Sequence, residues 1–125
     1  MASANHEQDS YVFNRGHKST VRLNYQHFWM KQLCGYLIHP TIPTQSPNIR
    51  IADIGTGTGI WPLELSHELP GTARIDGFDI SPAQYPHRNW LPANVILHVH
   101  NAFAPFPQEY VGVYDVVHVR FFLLP

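Results

Sequence analysis

The chain has 125 residues, 44% of them hydrophobic and 14% charged, with a formal net charge of −1. That suits one globular domain with its own core, and a nearly neutral chain with two lysines argues against a nucleic-acid partner. No apolar run approaches the roughly 20 residues that span a bilayer, no basic-then-apolar leader opens the chain, and the single Cys34 excludes an internal disulfide framework, so the expectation is a cytoplasmic protein with no membrane partner.

The opening residues are polar and aperiodic, which predicts a mobile amino-terminal segment over 1–18, with Tyr11, Val12 and Phe13 as local anchors. From about Ser19 or Thr20, a suitable N-cap, Val21, Tyr25, Phe28, Trp29, Leu33, Tyr36 and Leu37 recur at helical spacing. Gly35 reads as a weak point inside this helix and His39-Pro40 as its end. An amphipathic helix packs its apolar stripe on the domain, so Asn24, His27 and Lys31 are expected in solvent. The alternative is a lid helix that turns Arg22, Asn24 and His27 toward a ligand.

Pro40, Pro43 and Pro47 make a stiff lead into Ile49, Ile51, Ala52 and Ile54, a run that reads as a strand buried on both faces of a parallel sheet. Asp53-Ile54-Gly55-Thr56-Gly57-Thr58-Gly59 follows, then a helix with Trp61, Leu65 and Leu69 on one face and Pro62 in its first turn. Glycines permit a tight turn and let a ligand lie against backbone, at the point where the helix offers unpaired N–H groups. A dinucleotide fingerprint places its last glycine three residues after the second, whereas here the spacing is two and two and position 60 is isoleucine. Asp53 is awkward beside a pyrophosphate but suits a ligand that carries an ammonium group.

Pro70-Gly71 stops the helix, and Ala73 to Phe78 forms a weak strand ending at Asp79. An acid about 20 residues beyond the glycine turn is placed to accept hydrogen bonds from both hydroxyls of a ribose. Ser81-Pro82 is read as opening a short helix that Pro86 closes, and Val95 to Val99 as the third strand. His98 and His100 are two apart, but no third metal ligand is placed near them, so no metal is expected. Tyr114 to Phe122 is the fourth strand, with Asp115 expected to pair with backbone in the preceding turn and His118 and Arg120 expected near the crevice.

The D-x-G-x-G-x-G stretch resembles motif I of the class I S-adenosylmethionine-dependent methyltransferases. From about Tyr11 onward the chain is similar to the amino-terminal part of fungal small-molecule methyltransferases. The likeness rests on Arg22 to Phe28, Gly35 to Pro40, Ile51 to Trp61, Gly77 to Ile80, Trp90 to Pro92, Phe103 to Pro105 and Tyr114 to Arg120. Among them it most resembles enzymes of secondary metabolism that methylate thiols of gliotoxin-type compounds, and LaeA-like regulators share the core. The resemblance implies an α/β Rossmann-like sheet of strand order 3-2-1-4, partial after strand 4, with an amino-terminal helix packed on it and the methyltransferase domain running over 19–125.

It also implies S-adenosylmethionine as cofactor, with Asp53, Gly55, Thr56, Gly57 and Gly59 at its methionine end and Asp79 and Ile80 at the ribose. Asn101, Ala102 and Phe103 fall at the adenine, and Arg120 or Arg22 at the carboxylate. Asn101 stands where the family often has an acid, which removes charge assistance to the adenine amine. The expected reaction is methyl transfer to a thiol or hydroxyl of a small molecule, with His27 and His118 as candidate bases. Ending after strand 4 would leave that edge open, so self-association or a partner chain there is expected. The alternatives are a non-catalytic cofactor-binding or interaction module and, less favoured by the glycine spacing, a nicotinamide-dependent oxidoreductase.

Overall fold

The computed structural model describes residues 19–120; the segment expected to be mobile over 1–18 and the apolar residues after Arg120 lie outside them. Four strands form one sheet: β1 (Arg50–Ile54), β2 (Arg74–Asp79), β3 (Val95–Val99) and β4 (Val116–Val119). All pairings are parallel and the order is β3-β2-β1-β4, as expected. β1 is flanked on both sides and carries Ile51, Ala52 and Asp53 buried in succession, which explains its near-continuous apolar run. The chain leaves β1 for β2 on one side and returns to β4 on the other, so a crevice opens where the carboxyl ends of β1 and β4 meet.

The core lies on the face bearing Ile51, Ile75 and Val95, and α2 (Ile60–Ser66) closes it with Trp61 and Leu65, each 1% exposed. The Trp61 indole N–H donates to the Leu37 carbonyl at 3.2 Å, which ties the loop before β1 to α2. Strand alternation puts Asp76 and Phe78 on the other face. There Asp76 is fully buried and accepts from His98 Nε2 at 2.9 Å, Tyr114 OH at 2.7 Å and Arg74 Nε at 3.2 Å. Burial opposes its charge, but the hydrogen bonds from His98 and Tyr114 and the Arg74 cation prevail and hold its pKa below the usual range. Among the described residues no helix is long and apolar enough to cross a membrane.

Helix α1 (19–34) overturns the favoured facing and turns Asn24 and His27 inward, as in the lid-helix alternative, while Arg22 is exposed. Val21, Tyr25, Phe28, Trp29 and Leu33 are all at least half exposed, whereas His27 is 1% exposed. The polar stripe is the packed one: Asn24 accepts from the Thr58 hydroxyl at 2.7 Å and Lys31 donates to Glu64 at 2.9 Å. The helix also stops earlier than expected. Gly35 has φ +79°, and its N–H bonds the Lys31 carbonyl at 2.8 Å, so this glycine ends the helix four residues before His39.

Two smaller expectations are also revised. Residues 81–86 form a turn rather than a helix: Ser81 Oγ accepts from the Ala83 N–H, and the Tyr85 hydroxyl is drawn to the His98 carbonyl at 2.6 Å. Asp115 bonds backbone, but that of Arg50 at the start of β1, at 2.9 Å, with its own N–H returning to the Arg50 carbonyl at 2.8 Å. The pair therefore fixes where β4 begins to run beside β1.

Candidate functional site

The glycine turn takes a path open only to glycine at alternate positions, with φ of +71° at Gly55, +65° at Gly57 and +81° at Gly59. The N–H groups of Gly55 and Thr56 both donate to the Phe78 carbonyl at 2.9 Å, which ties the turn to the end of β2. Gly59 lines neither cavity of the site. A Cβ there would lie 2.6 Å from Leu97 Cδ1, so this glycine lets α2 seat against β3. A Cβ on Gly57 would meet Leu23 of α1 at 3.2 Å, so α1 rests directly on the turn.

The first cavity, of about 80 Å³, is walled by Asp53, Thr56, Gly57, Trp61, His118 and Arg120 among others. The parallel register sets Asp53 beside His118 across β1 and β4. The Asp53 carboxylate, 3% exposed, accepts from the Thr56 hydroxyl at 2.7 Å on one oxygen and from His118 Nδ1 at 2.7 Å on the other. The His118 ring stacks flat on Trp61 with centroids 3.8 Å apart. With Nδ1 donating to the acid, Nε2 is the basic nitrogen of His118.

Arg120, from the carboxyl end of β4, donates through Nη2 to His27 Nδ1 at 2.7 Å. Burial lowers the Arg120 pKa, and the nearby Asp53 charge pulls the other way. Burial, then the Arg120 charge, lowers His27 from 6.5 to about 4, so the imidazole is neutral and accepts at Nδ1. Its proton therefore sits on Nε2, which is buried with no hydrogen-bond partner among the described residues, Glu64 Oε1 lying 3.9 Å away.

The second cavity, of about 160 Å³, is walled by Gly55, Phe78, Asp79, Ile80, Asn101, Ala102 and Phe103, with His100. Gly55 borders both cavities, so they adjoin over the glycine turn. Asp79 accepts the Gly57 N–H at 2.8 Å on one oxygen and the Ile80 N–H at 2.7 Å on the other. These bonds fix the carboxylate plane and leave a further lone pair on each oxygen. Ile80 and Phe103 are exposed apolar walls, 68% and 80% accessible. Asn101 Oδ1 accepts the Phe103 N–H at 3.0 Å, so the amide that replaces the family's acid is used to shape its own loop.

Of the residues singled out in the sequence, Asp53, Gly55, Thr56, Gly57 and Arg120 gather at the first cavity and Asp79, Ile80, Asn101, Ala102 and Phe103 at the second. His118 lines the first and His27 stands behind Arg120. Trp61 and Leu23 also line it, although the sequence marked Trp61 only as one of an apolar stripe with Leu65 and Leu69. Its position two residues after the last glycine was the available signal, because the first turn of α2 borders whatever the glycine turn holds. Among the described residues no three or more His, Cys, Asp or Glu side chains cluster as metal ligands. His98 is engaged with Asp76, and His100 with the Ala104 carbonyl at 3.2 Å.

A family model described as a methyltransferase domain matches residues 25–123. Among curated proteins, the N-methyltransferase tcpN of Claviceps purpurea is 36% identical over 111 residues, 88% of this chain and 40% of the relative. The methyltransferase grgD of a Penicillium species is 38% identical over 128 residues, 96% of this chain and 44% of the relative. The N-methyltransferase gliN of Aspergillus fumigatus is 33% identical over 113 residues, 90% of this chain and 39% of the relative. The chain thus spans about two fifths of the length of these fungal relatives. The matched region takes in all four strands, the glycine turn and, apart from Leu23, the walls of both cavities, and on that match the chain belongs to the methyltransferase domain family.

Proposed function

We propose that the two adjoining cavities hold S-adenosylmethionine and that the chain serves methyl transfer to a small secondary metabolite. The observation that carries this reading is the charge layout at the first cavity, with a carboxylate from β1 and a guanidinium from β4 on one wall system beside the glycine turn. An amino-acid end bears an ammonium and a carboxylate, so it is met by one charge of each sign. A pyrophosphate would face Asp53 at close range. The donor set at the second cavity fits the remaining part of the cofactor: a ribose diol donates to the two lone pairs left on Asp79, and Ile80 and Phe103 offer apolar surface to an adenine ring.

Such a cofactor supplies a methyl group already activated on a sulfonium, so the chain has to bind, orient and keep out water. Asp53 takes the ammonium on the lone pairs that Thr56 and His118 leave over. Trp61 and Leu23 supply apolar wall at the same place. Of the two candidate bases, His118 borders the cavity and keeps Nε2 as its unprotonated nitrogen, whereas His27 is buried and its acceptor nitrogen Nδ1 is taken by Arg120. His118 is therefore the residue we assign to accept a proton from the acceptor. Two of the relatives are named N-methyltransferases, which favours nitrogen over the thiol or hydroxyl that the sequence suggested.

Calorimetric titration tests the cofactor reading. S-adenosylhomocysteine should bind and NADH should not, and Asp79→Asn should weaken binding about tenfold by removing a charged acceptor of the diol. No heat with S-adenosylhomocysteine, or equal binding of NADH, would end this assignment. Turnover with amine, thiol and hydroxyl acceptors then ranks the acceptor class, and binding without turnover on any of them would favour a cofactor-binding module.

A further inference from the structure

Helix α1 buries the wrong residue for stability. At its packed face stands His27, 1% exposed, while Phe28 and Trp29 beside it are 50% and 57% exposed. A buried polar ring costs free energy unless its atoms are bonded, and here only Nδ1 is, because Nε2 has no partner among the described residues. A leucine would fill such a place at less cost. What a neutral imidazole offers, and leucine or a cationic side chain does not, is an acceptor for an arginine N–H.

That arginine is Arg120, which borders the cavity at the glycine turn together with Asp53. A guanidinium is a rigid planar fork, so a bond from one terminal nitrogen fixes the direction of the whole group. On its other side His27 meets no hydrogen-bond acceptor within reach among the described residues. Glu64 stands 3.9 Å from its Nε2, and Lys31, one turn along α1, pins Glu64 at 2.9 Å. The cation at the cavity is therefore aimed by a helix that meets the site through its polar stripe and Leu23.

We infer that Arg120 is the partner of the α-carboxylate of the bound cofactor, and that His27 of α1 is the positioning residue that presents the guanidinium to it. This rests on the cofactor reading above and goes further, because it makes cofactor affinity depend on how α1 is seated. His27 touches no cofactor atom and acts through Arg120 alone.

The test compares two ligands that differ by one group: S-adenosylhomocysteine and S-adenosyl-3-thiopropylamine, which keeps the nucleoside, thioether and amine but lacks the carboxylate. The unaltered chain should prefer the carboxylate-bearing ligand by about thirtyfold, the usual reach of a charge-assisted hydrogen bond. Arg120→Gln should reduce that preference to about threefold or less. His27→Leu should lower it by about fivefold with binding of the decarboxylated ligand unchanged, and His27→Gln, whose amide oxygen also accepts, should restore most of it. A purely structural His27 would weaken both ligands alike.

Equal affinity of the unaltered chain for the two ligands would overturn the assignment of Arg120 while leaving the cofactor reading intact. A preference that survives His27→Leu would remove His27 from the proposal. Binding of neither ligand would sink the cofactor reading and this inference with it. Should His27→Leu fail to fold in a thermal melt, the unaltered chain and Arg120→Gln still decide the carboxylate contact, and His27→Gln decides the positioning role.

Discussion

Two helices flank the same sheet with opposite faces. α2 lies over the apolar layer of β2 and β3 and buries Trp61 and Leu65, as its spacing predicts. α1 lies over the glycine turn and the ends of β1 and β4, and buries His27 while Phe28 and Trp29 point outward. The difference follows from what each helix covers. Beneath α2 there are aliphatic side chains, and beneath α1 there are Thr58, Glu64 and Arg120. A helix turns inward the stripe that complements its floor, and the floor of α1 is the site.

The sharpest break of the comparison is on the α2 side. Trp61→Ala removes a fully buried indole, its hydrogen bond to Leu37 and the platform under His118, so it should cost about 3–5 kcal/mol in denaturant unfolding. A loss below about 1 kcal/mol would mean that α2 does not anchor the core in the way its buried stripe implies.

On the α1 side the counterpart is acid sensitivity. His27 titrates at about 4 in the fold against its ordinary 6.5, so between those values the unfolded chain binds more protons than the folded one. Stability is then complete above pH 6.5 and is lost as pH falls toward 4, by as much as ~3 kcal/mol from this group. Arg120, Lys31 and His118 oppose its protonation and Glu64 alone favours it. The slope of unfolding free energy against pH should flatten in His27→Gln over this window. An unchanged slope would place the acid sensitivity elsewhere.

Much of this architecture was legible because strands advertise themselves locally. β3 falls on the run from Val95 to Val99, and β1 ends at Ile54, just before the glycines begin. The facing of α1 stayed open between two alternatives, because periodicity reveals that a stripe exists and not which side of it has a floor. Gly35 was read as a flaw within a helix, since spacing alone does not distinguish an interior glycine from one that stops it at positive φ. The turn at 81–86 is too short to carry the cost of nucleating a helix once Ser81 and Tyr85 have other partners. Asp53 and His118 are 65 positions apart, and only the β1–β4 register brings them to 2.7 Å. The motif marked Asp53 as a ligand-facing acid; that it also holds an imidazole and a threonine needed the strands in place.

The turn and the stop separate the two helices again. Gly59→Ala places a Cβ at 2.6 Å from Leu97 in a left-handed conformation, so it should cost about 2 kcal/mol and loosen α2 on β3. Gly35→Ala meets nothing within 4 Å and bears only the conformational strain of φ +79°, so about 1 kcal/mol is expected. Equal costs for the two would show that the close approach of Leu97 is relieved freely.

The smallest effect on stability should come from the outward stripe of α1. Trp29→Ser removes a large ring that is 57% exposed and should change unfolding free energy by no more than about 0.5 kcal/mol. Exposed apolar groups matter instead for what the surface meets. Val21, Tyr25, Phe28, Trp29 and Leu33 on α1, with Val117 and Val119 on the bare face of β4, are apolar side chains open to solvent. We propose that chains associate through these exposed side chains. Light scattering should show concentration-dependent association that Trp29→Ser with Leu33→Glu reduces without lowering the thermal midpoint. A monomer at all concentrations would remove the association, and a loss of 2 kcal/mol from Trp29→Ser would show that this stripe is packed after all, which would end the contrast between the helices.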